Sequence, residues 1–253
     1  MTVRIVATVI IAALCLPSAL QASPVVTGRL DYRLSWNGIP AAHATVSINQ
    51  DEAGPEPRYR VEATAQTSWL VDLLWSLRAR VTSIFAGDDL TPQGFRYDRE
   101  VNHEHSLTEV TFDQSSLASL ATTGTYYHGG HTTVLDVQDA DVLDPITTIF
   151  RALAQPVRIG DTMRYEVFTG EARYRVELSV AGEETITVPA GTFKTWRVEP
   201  QVWKIGTGLD RRLRRATVWV SQAPVRAVVR IRSEVFIGAV NCDLQQWVAP
   251  PSG

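Results

Sequence analysis

Four of the five histidines fall close together, His103 and His105 in VNHEHS and His128 and His131 in YHGGH. Imidazole nitrogens are zinc ligands when three or four converge with carboxylates in a tetrahedron. On a strand, His103 and His105 would share one face, because side chains two apart project the same way. A loop carrying His128 and His131 would then have to fold onto that edge, with Glu104 or Asp136 completing the set. This is the pattern of a metal-dependent hydrolase, and the simpler reading of the same residues is polar side chains at a strand edge and in a loop, facing water.

A second group is the basic run Arg211-Arg212-Leu213-Arg214-Arg215. Guanidinium forks match phosphate and carboxylate oxygens bidentately, so Arg211, Arg212, Arg214 and Arg215 are candidates for contact with an anionic lipid headgroup or glycan. The alternative is a solvated hairpin tip whose charge blunts a sheet edge. A third group is the segment Trp69 to Leu77, WLVDLLWSL, where Leu70, Leu73, Leu74 and Leu77 recur at helical spacing after Ser68 as a potential N-cap. With Trp69 and Trp75 it carries more apolar surface than one stripe requires. Such a helix is either buried in a concave sheet or gates an apolar cavity, which Trp196, Trp219 and Phe236 could line or fill.

Other chemistry is poorly represented. There is no G-x-S-x-G elbow, phosphate loop or dinucleotide-binding fingerprint. Cys242 has no histidine beside it, and Glu183-Glu184 is a surface-like pair whose separation from other carboxylates the sequence does not define. No cofactor is expected. The formal charge of −3, with no basic–aromatic strand set, argues against nucleic acid.

The elements that must position these residues begin after a leader. Arg4 is a short positive region, Ile5 to Leu16 is apolar without interruption, and Pro17-Ser18 breaks it ahead of a cut expected after Ala22. Residues 1–22 therefore read as a signal peptide and 23–253 as a single β-rich domain, exported to the periplasm. The apolar run falls short of the roughly 20 residues that span a bilayer, and no transmembrane segment is expected after cleavage. Of the two cysteines, Cys15 lies in the leader, so Cys242 alone remains and no internal disulfide is expected.

Beyond the leader, period-two alternation dominates. Leu30, Tyr32, Leu34 and Trp36 alternate with polar residues, as do Tyr59, Val61, Ala63 and Ala65, and Tyr174, Val176, Leu178 and Val180. Each run reads as a strand with one buried and one wet face, the mark of antiparallel sheet. Turns are expected at Asn37-Gly38, Gly170-Glu171, Gly182-Glu183, Ala190-Gly191 and Ala223-Pro224. Asp144-Pro145 opens a helix, with Asp as N-cap and Pro at the first position, that runs to about Ala154 and buries Ile146, Ile149, Phe150 and Leu153. Residues 128 to 143 read as a loop joining two groups of strands.

Several of these segments together resemble the family called domain of unknown function 3108, found in exported bacterial proteins. They are Tyr32 to Ile39 (YRLSWNGI), Asp144-Pro145-Ile146 leading to Phe150-Arg151, Val188 to Phe193 (VPAGTF), Arg215 to Ser221 (RATVWVS) and Val228 to Ile231 (VVRI). The resemblance implies a mainly β fold: a single large curved antiparallel sheet, a half-barrel or open barrel, with one or two short helices covering or plugging it. That shape is similar to the half-barrels of the periplasmic lipoprotein carriers LolA and LolB. It implies no catalytic residues.

The function expected from these readings is a non-catalytic carrier in the cell envelope for a lipid or other apolar or amphiphilic ligand. Trp69, Leu73, Trp75, Trp196 and Trp219 would meet the chain, and the Arg211 to Arg215 run the headgroup. The alternative is a structural or interaction module that docks an envelope protein partner. A metal-dependent hydrolase using His103, His105, His128 and His131 ranks third.

Overall fold

The computed structural model describes residues 25, 27–51, 56–112, 121–138, 141–206, 216–222, 226–234 and 238–249. The leader expected at 1–22, the turn expected at Ala223-Pro224, Phe236 and the Arg211 to Arg215 run lie outside them. Alternating segments form strands as expected. β1 (Gly28–Trp36) and β2 (Ile39–Asp51) are joined by Asn37-Gly38, with φ of +48° and +86°. A two-residue turn with positive φ at both positions matches the right-handed twist of its flanking strands.

The chain then passes through β3 (Arg58–Thr67), α1 (Trp69–Asp72), β4 (Leu77–Ala86), β5 (Thr91–Val101), β6 (Glu104–Phe112), β7 (Ala121–His128) and β8 (His131–Gln138). β9 (Val142–Leu143) and α2 (Pro145–Ala154) follow. The last group is β10 (Thr162–Phe168), β11 (Arg173–Val188), β12 (Gly191–Lys204), β13 (Ala216–Ser221), β14 (Val228–Glu234) and β15 (Ala239–Val248). All fifteen strands belong to one sheet, because β15 returns to pair with β1 and joins the two groups. Pairing is antiparallel throughout except for β9, which lies parallel to β10.

The sheet curls without closing. β8 and β9 are its two edges, yet its ends touch through side chains. Thr108 Oγ1 on β6 donates to Glu171 in the β10–β11 turn at 3.4 Å, and Arg99 on β5 stands 3.8 Å from the same carboxylate. Gly124 on β7 lies against Phe168 on β10.

α2 fills one end of the concave face. Asp144, fully buried, caps it by accepting from the N–H groups of Ile146 and Thr147 at 2.9 and 3.0 Å, from Ser83 Oγ at 3.0 Å and from the Thr147 hydroxyl. The cap and Pro145 act as expected. The buried face differs: Thr147, Thr148 and Phe150 are buried, whereas Ile149 is 44% exposed and points to the hollow. The reason is the pair Ser83 and Asp144, which draws the threonines inward. Phe150 packs at a tilt against Phe85, and Phe85 against Tyr59, with ring centroids 5.4 and 5.5 Å apart. Ile146 packs against both of the clusters that make up the core, one around Phe85 and Leu244 and one around Phe95 and Phe168.

Three local expectations are corrected. The Trp69 to Leu77 segment is helical only over Trp69–Asp72, and Leu77 opens β4. The loop expected over residues 128 to 143 is replaced, over the described residues, by a tight turn at Gly129-Gly130 between β7 and β8, and by β9. Gly182-Glu183 is not a turn, since β11 runs through it with a bulge between Val180 and Gly182.

Candidate ligand cavity

Across β1 to β4 the concave face carries Leu34 and a row of alanines. Leu34 and Ala42 pair across β1 and β2, and Ala44, Ala65 and Ala79 follow in register on β2, β3 and β4. These side chains and Ala63 are half-buried. Alanine at these positions projects little into the hollow, and Ala44 and Ala63 border the space beside α2.

Beside α2 the hollow contains two apolar cavities. One of about 220 Å³ is bounded by Leu30, Tyr32, Val46, Val61, Ile149 and Trp247, and one of about 140 Å³ by Leu153, Met163, Leu178, Trp196 and Val220. Ile149, Leu153, Val228 and Ile231 face both. An apolar void of about 150 Å³ holds a benzene-sized guest and stays dry. The larger cavity is therefore of ligand size, and its lining gives water few partners.

Three polar groups touch this space. The Tyr32 hydroxyl donates to Val228 O at 2.9 Å, and burial pushes its pKa upward. Cys242 faces the larger cavity, and burial, reinforced by the Asp243 carboxylate, pushes its thiol up to about 12. Arg226 faces both cavities and donates from Nη1 to Leu153 O at 3.2 Å and to Gln155 O, the carbonyls at the C-terminal end of α2. Arg226 escaped the sequence reading. The available signal was a lone cation opening the apolar strand Ala227-Val228-Val229, and only the fold brings it to the helix end.

The expected site residues separate. Trp196 borders the smaller cavity. Trp219 borders neither: it pairs with Arg197 and Arg230 across the ladders, and its indole N–H donates to Glu184 at 2.8 Å. Trp69, Leu73 and Trp75 stand at the far end of the sheet, with exposures of 76%, 73% and 43%. Their segment is held by Ser68 N–H on Ala41 O at 2.8 Å and by the Asp72–Arg78 ion pair at 2.5 Å.

The histidines do not converge. Asn102 and His103 are the two turn residues between β5 and β6, with φ of +49° and +71°, so His103 is not on a strand with His105. His105 shares a face with Tyr127, their rings 6.5 Å apart, and bonds Asp98 at 2.8 Å. His128 pairs with Ser106 and with His131 on the opposite face. The sheet itself stands between them. Among the described residues no group of three or more His, Cys, Asp or Glu side chains is placed to hold a metal.

The family described as Protein of unknown function (DUF3108) matches residues 31–245. The chain belongs to that family. No curated protein matches the sequence. The DUF3108 chain is similar to a β-barrel-like protein of domain of unknown function DUF1849 from Brucella abortus, at 9% identity and a TM-score of 0.57, covering 90% of this chain and 99% of that one. A protein with a YmcC-like fold from Bacteroides fragilis gives 10% identity and a TM-score of 0.38, covering 88% and 96%. The first of these likenesses supports the DUF3108 fold as an open, barrel-like sheet and carries no function with it.

Proposed function

We propose that this DUF3108 protein is a non-catalytic carrier, exported to the periplasm, that sequesters an apolar or amphiphilic ligand in the hollow beside α2. The observation that supports it is the apolar cavity of about 220 Å³ between α2 and strands β1, β2 and β3, continued by the half-buried alanines toward the opposite end of the sheet. The mechanism is burial. Each methylene taken from water contributes about 0.8 kcal/mol, so five or six of them give about 4–5 kcal/mol, in the range of millimolar affinity. Such a ligand is held and released without a chemical step. Trp196 meets the chain in the smaller cavity. Trp69, Leu73 and Trp75 form an apolar lip at the far end.

Fluorescence of N-phenyl-1-naphthylamine, an uncharged apolar probe, tests the reading on protein stripped of lipid. Saturable one-site binding that dodecanol reverses is expected. A probe signal that dodecanol leaves unchanged would remove the carrier reading.

A second reading, an interaction module of an envelope complex, is favoured by β8. This edge strand exposes His131 through Asp136, including Val134 at 58% and Leu135 at 37%, and an unpaired edge is a template for a partner strand. Proline at Val134 would abolish capture of a strand partner and leave probe binding intact.

A further inference from the structure

Among the described residues, Arg226 is the single charged one in the lining of either apolar cavity. Its surroundings are unusual for a guanidinium. It is half-buried, and among the described residues it forms no ion pair with a carboxylate. Both of its hydrogen bonds, to Leu153 O and Gln155 O, come from Nη1. The Tyr32 hydroxyl, which also lines the larger cavity, is already committed to Val228 O.

We infer that the ligand is a single-chain amphiphile with a carboxylate head, a fatty acid, whose head is bound by Arg226 while its chain lies along the apolar cavity. The inference rests on the carrier reading and adds the class of headgroup to it. A cation held among apolar groups is costly without a counter-charge. The carbonyls of Leu153 and Gln155 supply partial negative charge from the end of α2, enough to orient the side chain and leave a net positive centre. A carboxylate completes it, because the guanidinium fork presents two parallel N–H groups at the spacing of its two oxygens. Position fits as well as charge. Arg226 touches both cavities where Ile149 and Leu153 separate them, so a head placed there can send its chain past Ile149 toward Val46 and Val61.

The experiment compares dodecanoate with dodecanol as competitors of N-phenyl-1-naphthylamine, on lipid-free wild type, Arg226→Gln and Arg226→Lys. Dodecanoate should bind about tenfold more tightly than dodecanol to wild type, as a charge-assisted hydrogen-bonded pair predicts. That ratio should fall to near one in Arg226→Gln through loss of dodecanoate affinity, and be partly kept in Arg226→Lys. If Arg226→Gln fails to fold, the wild-type ratio and its reduction in Arg226→Lys still decide. Equal affinities in wild type, or a ratio that survives Arg226→Gln, overturn the headgroup assignment while leaving the carrier intact. Failure of both competitors overturns the carrier reading and this inference with it.

Discussion

Gly124 on β7 and Phe168 on β10 meet across the gap between the two ends of the sheet, so closely that a Cβ on Gly124 would stand 2.6 Å from Phe168 Cζ and 2.8 Å from Gly170 Cα. The curl of this sheet is therefore sealed by packing where a barrel would use a hydrogen-bonded ladder. Phe168 is 1% exposed and cannot swing away into solvent. Gly124→Ala should lower stability by about 1–3 kcal/mol, the usual cost of overpacking, measured as a shift in the urea midpoint. Adding Phe168→Leu should recover part of that loss, and a double variant as unstable as the sum of both changes would show that the two residues are not coupled.

Asp144 holds the N-terminus of α2 and thereby the wall of both cavities. Asp144→Ala removes a cap worth about 1 kcal/mol and strands buried donors at about 1–3 kcal/mol. A total loss of about 2–4 kcal/mol is expected in denaturant unfolding, with probe binding lost in parallel. Burial pushes the Asp144 carboxyl up, against hydrogen bonds from Thr147, Ser83 and Ile146 N–H that pull it down, and burial prevails. A pKa higher in the folded than in the unfolded chain gives stability that is fully present below the unfolded value near 3.9 and is lost as pH rises through the folded one. Relative to Asp144→Asn, wild type should gain stability between pH 7 and about pH 4. A difference that shrinks on acidification would reverse the assigned shift.

The sequence announces strands and the second helix through strong local signals. Alternation in β1, β3 and β11, Asn-Gly at 37–38 and Asp-Pro at 144–145 each act within a few residues, so no tertiary contact is needed to read them. The misread segments are those where two local signals compete. Leucines at 70, 73, 74 and 77 have helical spacing, yet Leu77 N–H is taken by Thr67 Oγ1 at 2.9 Å as β4 begins, and the helix stops after one turn. Gly129-Gly130 suits a loop and a two-residue hairpin equally. The cavity was legible only as an excess of apolar residues. Its polar feature, Arg226, acquires meaning from carbonyls more than 70 residues earlier in the chain.

The Asp72–Arg78 pair tests whether the exposed Trp69 to Trp75 segment is held by charge. The Arg78 guanidinium, with help from the Thr67 hydroxyl, holds the Asp72 carboxyl down to about 2. A depressed carboxylate gives stability that is present above its unfolded pKa and is lost as pH falls through the folded value. The thermal midpoints of wild type and Asp72→Asn should differ by a constant amount above about pH 5 and converge as pH approaches 2. The constant difference should itself be small, because both partners are solvent-accessible. Midpoints that stay equally far apart down to pH 2 would exclude the ion pair as the tether.

Cys242 reports on the cavity from inside. Its thiol lines the larger void and is pushed up to about 12 by burial and by the Asp243 carboxylate, so at pH 8 its thiolate is scarce as well as shielded. Alkylation by iodoacetamide, assigned to Cys242 by peptide mapping, should run at least about 100-fold slower than for free cysteine, whose pKa is near 8.5. Saturating dodecanol should slow it further by occupying the space the reagent must enter. Ala44→Phe, which projects a ring into the same cavity, should give the slow rate with or without dodecanol. Alkylation at the rate of a free thiol would mean that water and reagent reach this wall unhindered, and an apolar chain would then gain little by lying against it.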